Sequence, residues 1–175
     1  MKTRLTLFFI AVASFFVQAQ NTEACTETLS LMSTSVKAKD VTAYDYLTTL
    51  RKDCPSFHKS IYSLGEFAVK LKIEKATTPQ HKEKYVRDLL KLYDEHDQYF
   101  PNNGAGKKKK KGLALFENKI GTSDEVFQLL DVAFKTDYAN CKYAKAMYVY
   151  FEILVNNHKA NKGVELQQVF DKYDD

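Results

Sequence analysis

The sequence predicts an all-α fold built from antiparallel helical hairpins, and three observations carry that prediction. From Cys25 onward apolar residues recur every three or four positions, as in Tyr85, Val86, Leu89, Leu90, Leu92 and Tyr93, and again in Tyr143, Met147, Tyr150, Phe151 and Leu154. That spacing gives a helix one broad apolar stripe. No segment alternates with the period of two that a half-buried strand needs, and short turn signals separate the helical stretches.

The chain has 175 residues, 45% of them hydrophobic, with 6 Gly, 3 Pro and 3 Cys. This is material for a single domain, too apolar to be wholly disordered and too poor in Gly and Pro to be low-complexity. Lys2 and Arg4 precede a run from Leu5 to Val17 that only Thr6 and Ser14 interrupt, and the run closes on Val17-Gln18-Ala19. A basic start, a short apolar stretch and small residues at its end form a secretory signal peptide, residues 1–19, which leaves a helical domain of residues 20–175. Cys25 does not directly follow the small residues, so the pattern is not that of a lipoprotein. No stretch reaches the roughly 18 uninterrupted apolar residues of a transmembrane helix. Without Lys2 and Arg4, 24 basic residues face 22 acidic ones. A net charge of +2 points away from nucleic acid as a partner.

Punctuation sets the helix limits. The first helix is expected over Thr22 to Ala38. Asp40 is placed to cap a helix that reaches Asp53, where Pro55 stops it. The next helix is expected from Ser56 to Ala76. Thr78 followed by Pro79 opens another, which runs to Tyr99 before Pro101. A helix from Lys109 to Lys119 follows. Gly121 then suits a C-terminal cap, and Thr122-x-x-Glu125 a capping box. A long seventh helix ends near Lys159, and Gly163 separates it from the last, Val164 to Tyr173.

Short turns make neighbouring helices antiparallel. The second helix of each pair begins near residue 40, 79, 122 or 163, a period of about 40 residues. Within those helices Ala43, Leu47, Leu50 and Pro55 sit at intervals of 4, 3 and 5. Leu89, Tyr93, His96 and Pro101 repeat these intervals, as do Val126, Leu130, Ala133 and Tyr138, while Leu166, Phe170 and Tyr173 begin a fourth copy. The spacing resembles the second helix of a tetratricopeptide repeat, and Leu64-Gly65 resembles the Leu-Gly step of the first. The expected architecture is therefore a degenerate tetratricopeptide-like α-solenoid of about three and a half units, whose last stripe has no following helix to cover it.

The segments Thr42 to Ile73 and Tyr143 to Asp174, with the Val-Gln-Ala-Gln junction, resemble the N-terminal part of exported tetratricopeptide-like proteins of the Bacteroidota cell envelope. The resemblance implies a periplasmic helical-repeat protein of a Gram-negative bacterium with a binding role. It brings no activity and no ligand residues.

Counting along the first hairpin adds a covalent expectation. Its turn is centred near Lys39, with Cys25 14 residues before and Cys54 15 after, so both fall at the same open end. A Cys25–Cys54 disulfide closing a loop of about 29 residues would contribute on the order of 3 to 4 kcal/mol. Cys141 is left over as a small core residue.

Catalytic and metal chemistry find no footing in the residue patterns. The cysteine spacings match no zinc motif. His58, His81, His96 and His158 are scattered, and Asp94-Glu95-His96-Asp97 cannot all face one ion from a helix, so it reads as a solvated face. There is no G-x-S-x-G elbow, H-E-x-x-H pair or glycine-rich phosphate loop. Neither a catalytic residue nor a cofactor or metal is therefore expected.

Binding residues can be nominated. Tyr62, Tyr148 and Lys70 are candidates for a groove that meets a peptide or another envelope protein, because a phenol offers both an apolar body and a polar tip. Lys107, Lys108, Lys109, Lys110 and Lys111 are read as a flexible basic loop between Pro101 and Gly112, suited to anionic lipid or glycan. The expected function is a non-enzymatic protein-interaction module. The alternatives are that lipid or glycan binder and a structural subunit capping a larger repeat array.

Overall fold

A computed structural model of the chain describes residues 22–101, 105–142 and 144–173. The expected signal peptide, residues 1–19, lies outside the described residues. Helices α1 (residues 22–37), α2 (Ala43–Asp53), α3 (Ser60–Glu74), α4 (Pro79–Tyr99), α5 (Ala105–Asn118), α6 (Ser123–Thr136), α7 (Tyr138–Cys141), α8 (Ala144–Lys159) and α9 (Leu166–Tyr173) make up nearly all of it. No strand occurs among the described residues. The chain forms two compact units, the first ending at Tyr85 and the second beginning at Val86, so that the boundary falls inside α4.

In the first unit, α1 and α2 are joined by a tight turn in which Lys39 adopts a left-handed conformation, φ 54°. Asp40 does not cap α2 as a helical neighbour. Its Oδ1 accepts from the backbone N–H of Thr42 at 2.9 Å, folding the entry turn, and α2 begins three residues after Asp40. Ala43, Leu47 and Leu50 are fully buried, with Met32, Ile61, Ala68 and Val69 in the same core. Each large apolar side chain removed from water in this way is worth about 1.5–3 kcal/mol. The expected bond is present: Cys25 and Cys54 form a disulfide with Cα atoms 6.1 Å apart, clamping residues 29 positions apart in sequence. Helix α3 starts four residues later than expected. Pro55 and Ser56 are taken into a turn, and the ring Nδ1 of His58 accepts from the N–H of Ser60 at 3.1 Å.

Two expected helix starts act as read, Thr78 in the first unit and Thr122 in the second. The Thr78 hydroxyl accepts from His81 N–H at 3.2 Å to open α4, which ends at Tyr99, two residues before Pro101. Thr122 has extended backbone and its hydroxyl accepts from Glu125 N–H at 3.1 Å. The other half of the box is used elsewhere, since the Glu125 carboxylate pairs with Arg87. Gly121 is not the C-terminal cap expected of it: Lys119 ends α5 with φ 57° and Asn161 ends α8 with φ 53°, while Gly121 and Gly163, at φ +77° and +74°, shape the turns that follow.

Helices α5 and α6 pack closely because Gly112 offers no side chain. A Cβ there would lie 3.0 Å from the Leu130 Cγ. Leu115, Val126, Leu130, Ala133, Ala146, Val149 and Ile153 fill the core of this unit. The expected seventh helix is divided into the single turn α7 and the longer α8. Cys141 is fully buried in the core, as expected.

The lysine run corrects the sequence reading. Lys107 to Lys111 lie on α5, which begins at Ala105, rather than in a loop. Lys107 pairs with Asp97 and Lys111 with Asp94, and their side chains keep only 15% and 14% exposure. Adjacent like charges on a helix are tolerable because these α4 carboxylates neutralise two of the five.

Of the stripe expected on α9, the Tyr173 side chain lies outside the described residues. In α9 Leu166 and Phe170 are 49% and 55% exposed, and the helix is anchored instead through Val169, which is buried.

Candidate functional site

A cleft of about 760 Å³ lies in the second unit, between α6, α8 and the turn leading into α9. The stripe that builds α6 leaves Phe127, Asp131 and Phe134 on one side of it, and α8 contributes Tyr150, Leu154 and Asn157. These α8 positions are three or four apart and share one helix face.

The aromatic wall is rigid. The rings of Phe127 and Tyr150 stack in parallel, with centroids 5.1 Å apart and planes 4° from parallel. Phe134 leans on Tyr150 at 5.2 Å, and the Tyr150 hydroxyl donates to Asp131 Oδ1 at 2.7 Å. A ring held at both its face and its tip cannot swing away, so the wall is formed before anything binds.

Polar groups surround it. Asp131 also pairs with Lys135 at 2.8 Å, and Asp124 lies 3.6 Å from Lys162. The third carboxylate, Asp171, accepts from Gln167 Nε2 at 2.7 Å and has no cationic partner among the described residues. Asn157 is the only buried polar side chain noted among the described residues, at 8% exposure. Its backbone carbonyl closes the turn to Lys162, and its carboxamide, with no hydrogen bond to a described residue, is not sealed from solvent.

Several nominated residues lie elsewhere. Tyr62 is 2% exposed in the first unit, and its hydroxyl donates to Pro55 O at 2.9 Å. It is a core residue with a satisfied polar tip and presents no surface to a partner. Lys70 is exposed and pairs with Glu66 one helical turn away. Tyr148, at 62% exposure, is on α8 but outside the cleft lining. Lys108 and Lys110 are exposed on α5, the latter over the Tyr93 ring at 5.6 Å, and Lys109 is half-buried. The structure therefore does not bring the nominated residues together.

Sequence reasoning missed the cleft, although Asn157 carried a signal. It falls three residues after Leu154 on the stripe that Tyr150 and Leu154 define, a polar residue where an apolar one belongs. A polar side chain on such a stripe needs a partner, a ligand or contact with solvent.

The acidic run on α4 is structural. Asp94 and Asp97 hold the α5 lysines, Glu95 lies 3.7 Å from Lys91, and the His96 ring meets Phe100 edge to face. No cluster of three or more candidate metal ligands occurs among the described residues. Ser56 and Lys59 have the S-x-x-K spacing of some acyl-transfer enzymes, but both are exposed in the turn before α3. The Cys141 thiol is pushed up from its ordinary value by burial, with Lys109 opposing and Asp137 reinforcing the shift. Neutral and enclosed, it lacks the features of a nucleophile.

No helix among the described residues is long and apolar enough to cross a membrane. No protein-family model, curated protein or solved structure matches this chain.

Proposed function

We propose that this protein is a non-enzymatic helical-repeat interaction module, exported to the periplasm or cell envelope, that binds an extended segment of another envelope protein. The observation that carries this reading is the α6–α8–α9 cleft, a preformed aromatic wall beside an amide with unused hydrogen-bonding capacity. Preformed apolar walls with a few placed polar groups are the usual form of a ligand site. Export is supported by the basic, apolar and small-residue order of the first 19 residues and by the Cys25–Cys54 disulfide, a bond favoured in oxidising compartments. The repeat reading is supported by burial at Ala43, Leu47 and Leu50, at Leu89 and Tyr93, and at Val126, Leu130 and Ala133, although His96 is only half-buried and Leu166 and Phe170 of the fourth copy are exposed.

The lipid or glycan reading is weakened because Lys107 and Lys111 already spend their charge on Asp97 and Asp94. A tagged mature protein, a Gln128→Trp variant that fills the cleft, and a Lys108→Gln/Lys109→Gln/Lys110→Gln variant would each be used to capture partners from an envelope extract. Loss of a specific partner with the first variant and its retention with the second is expected. The reverse pattern overturns the reading in favour of the lysine face.

A further inference from the structure

The charge within the cleft is not balanced. Asp124 and Asp131 are offset by Lys162 and Lys135, while Asp171 on α9 is not offset by any described residue. This local excess of negative charge occurs in a chain whose formal net charge is +4. On the facing helix, the Asn157 side chain is more than nine-tenths buried, lines the cleft and leaves its carboxamide unused. An amide presents one acceptor and a pair of donors in a plane, which matches the N–H and C=O of a peptide main chain. No buried side-chain polar atom lacks a partner among the described residues, so the carboxamide reaches solvent at the cleft and can exchange water for a ligand's main chain.

We propose that this cleft takes a basic, extended peptide segment, with the Asn157 carboxamide paired to its main chain and the Asp171 carboxylate holding a lysine or arginine head group. This deepens the interaction-module reading and rests on it. The half-buried Phe127 offers one ring face, its other face being covered by Tyr150, so it suits the aliphatic stem of such a side chain. A neutral sugar would satisfy the amide but would leave the Asp171 charge unmatched. An acidic segment would be repelled by it.

The test uses the mature chain and three fluorescent heptapeptides with blocked ends, identical except for lysine, glutamine or glutamate at three alternating positions. Fluorescence anisotropy at low salt should show binding of the lysine peptide, binding of the glutamine peptide about tenfold weaker, and none of the glutamate peptide. Asp171→Asn, at an exposed position, should remove the preference for lysine over glutamine without changing the melting temperature. Asn157→Leu should weaken the lysine and glutamine peptides alike by about tenfold. Equal binding of the lysine and glutamine peptides, with Asn157→Leu still weakening both, would overturn the cationic preference and leave the peptide groove standing. Binding of a neutral oligosaccharide such as laminarihexaose, with no binding of any peptide, would overturn both.

Discussion

Removing the Cys25–Cys54 disulfide gives the most quantitative consequence of the fold. The bond joins residues 29 apart in sequence, so the oxidised unfolded chain carries a closed loop of about that length. The chain-entropy relation for a loop of about 29 residues predicts a loss of about 3.6 kcal/mol at 25 °C when it is opened. With a urea slope of about 2 kcal/mol/M, this moves the midpoint down by about 1.8 M. Helical circular dichroism would be followed in urea for the oxidised protein and for the Cys25→Ala/Cys54→Ala variant. Cys25 is buried, so some of the change could come from lost packing. The reduced wild-type protein, measured beside the variant, isolates that share. A total loss below about 1 kcal/mol, or a loss carried almost entirely by the packing share, would refute the loop-closure argument.

Four further outcomes follow from individual contacts. Leu130→Ala should cost about 2–5 kcal/mol in chemical denaturation, because Leu130 is fully buried between α5 and α6. Gly112→Ala sets about 1 kcal/mol of gained helix propensity against about 1–3 kcal/mol of overpacking on Leu130. It should therefore lower the melting temperature, whereas a rise would mean that Leu130 yields freely. Thr122→Ala should lose about 1 kcal/mol in the same denaturation assay with its cap on α6, and Thr122→Ser should recover most of it. For Cys141, burial keeps the folded thiol protonated after the unfolded thiol has begun to ionise, so stability should fall as pH rises through and above the ordinary thiol range. Urea midpoints measured across alkaline pH should show that this part of the slope disappears in Cys141→Ala.

The features that could be read ahead of the structure are those fixed by short stretches of chain. Thr78-Pro79 and Thr122 open helices because a hydroxyl and a fixed φ act within one turn, whereas α5 and α8 are ended by Lys119 and Asn161, non-glycine residues that take the left-handed conformation two positions before Gly121 and Gly163. The disulfide was legible because Cys25 and Cys54 lie 14 and 15 residues from the turn at Lys39, and an antiparallel pair brings positions equidistant from its turn together. Features set by distant residues were not. Five consecutive lysines read as a solvated loop until Asp94 and Asp97 on α4 are placed beside them. Tyr62 read as a surface phenol because its acceptor is a backbone carbonyl, Pro55 O, which no side-chain pattern reveals. The cleft depends on α6, α8 and the turn at Gly163 meeting, and only Asn157 marked it in the sequence.

The central claim, that this protein engages a partner through the α6–α8–α9 cleft, is most directly tested by site-specific photo-crosslinking of the full chain expressed in a Gram-negative host. A crosslinking residue would be placed at Gln128, which is exposed at the cleft, or at Lys108, which is exposed on α5. Adducts with a discrete protein from position 128, reduced by Asn157→Leu, are predicted. Adducts from position 108 alone, or none from either position, would contradict the account.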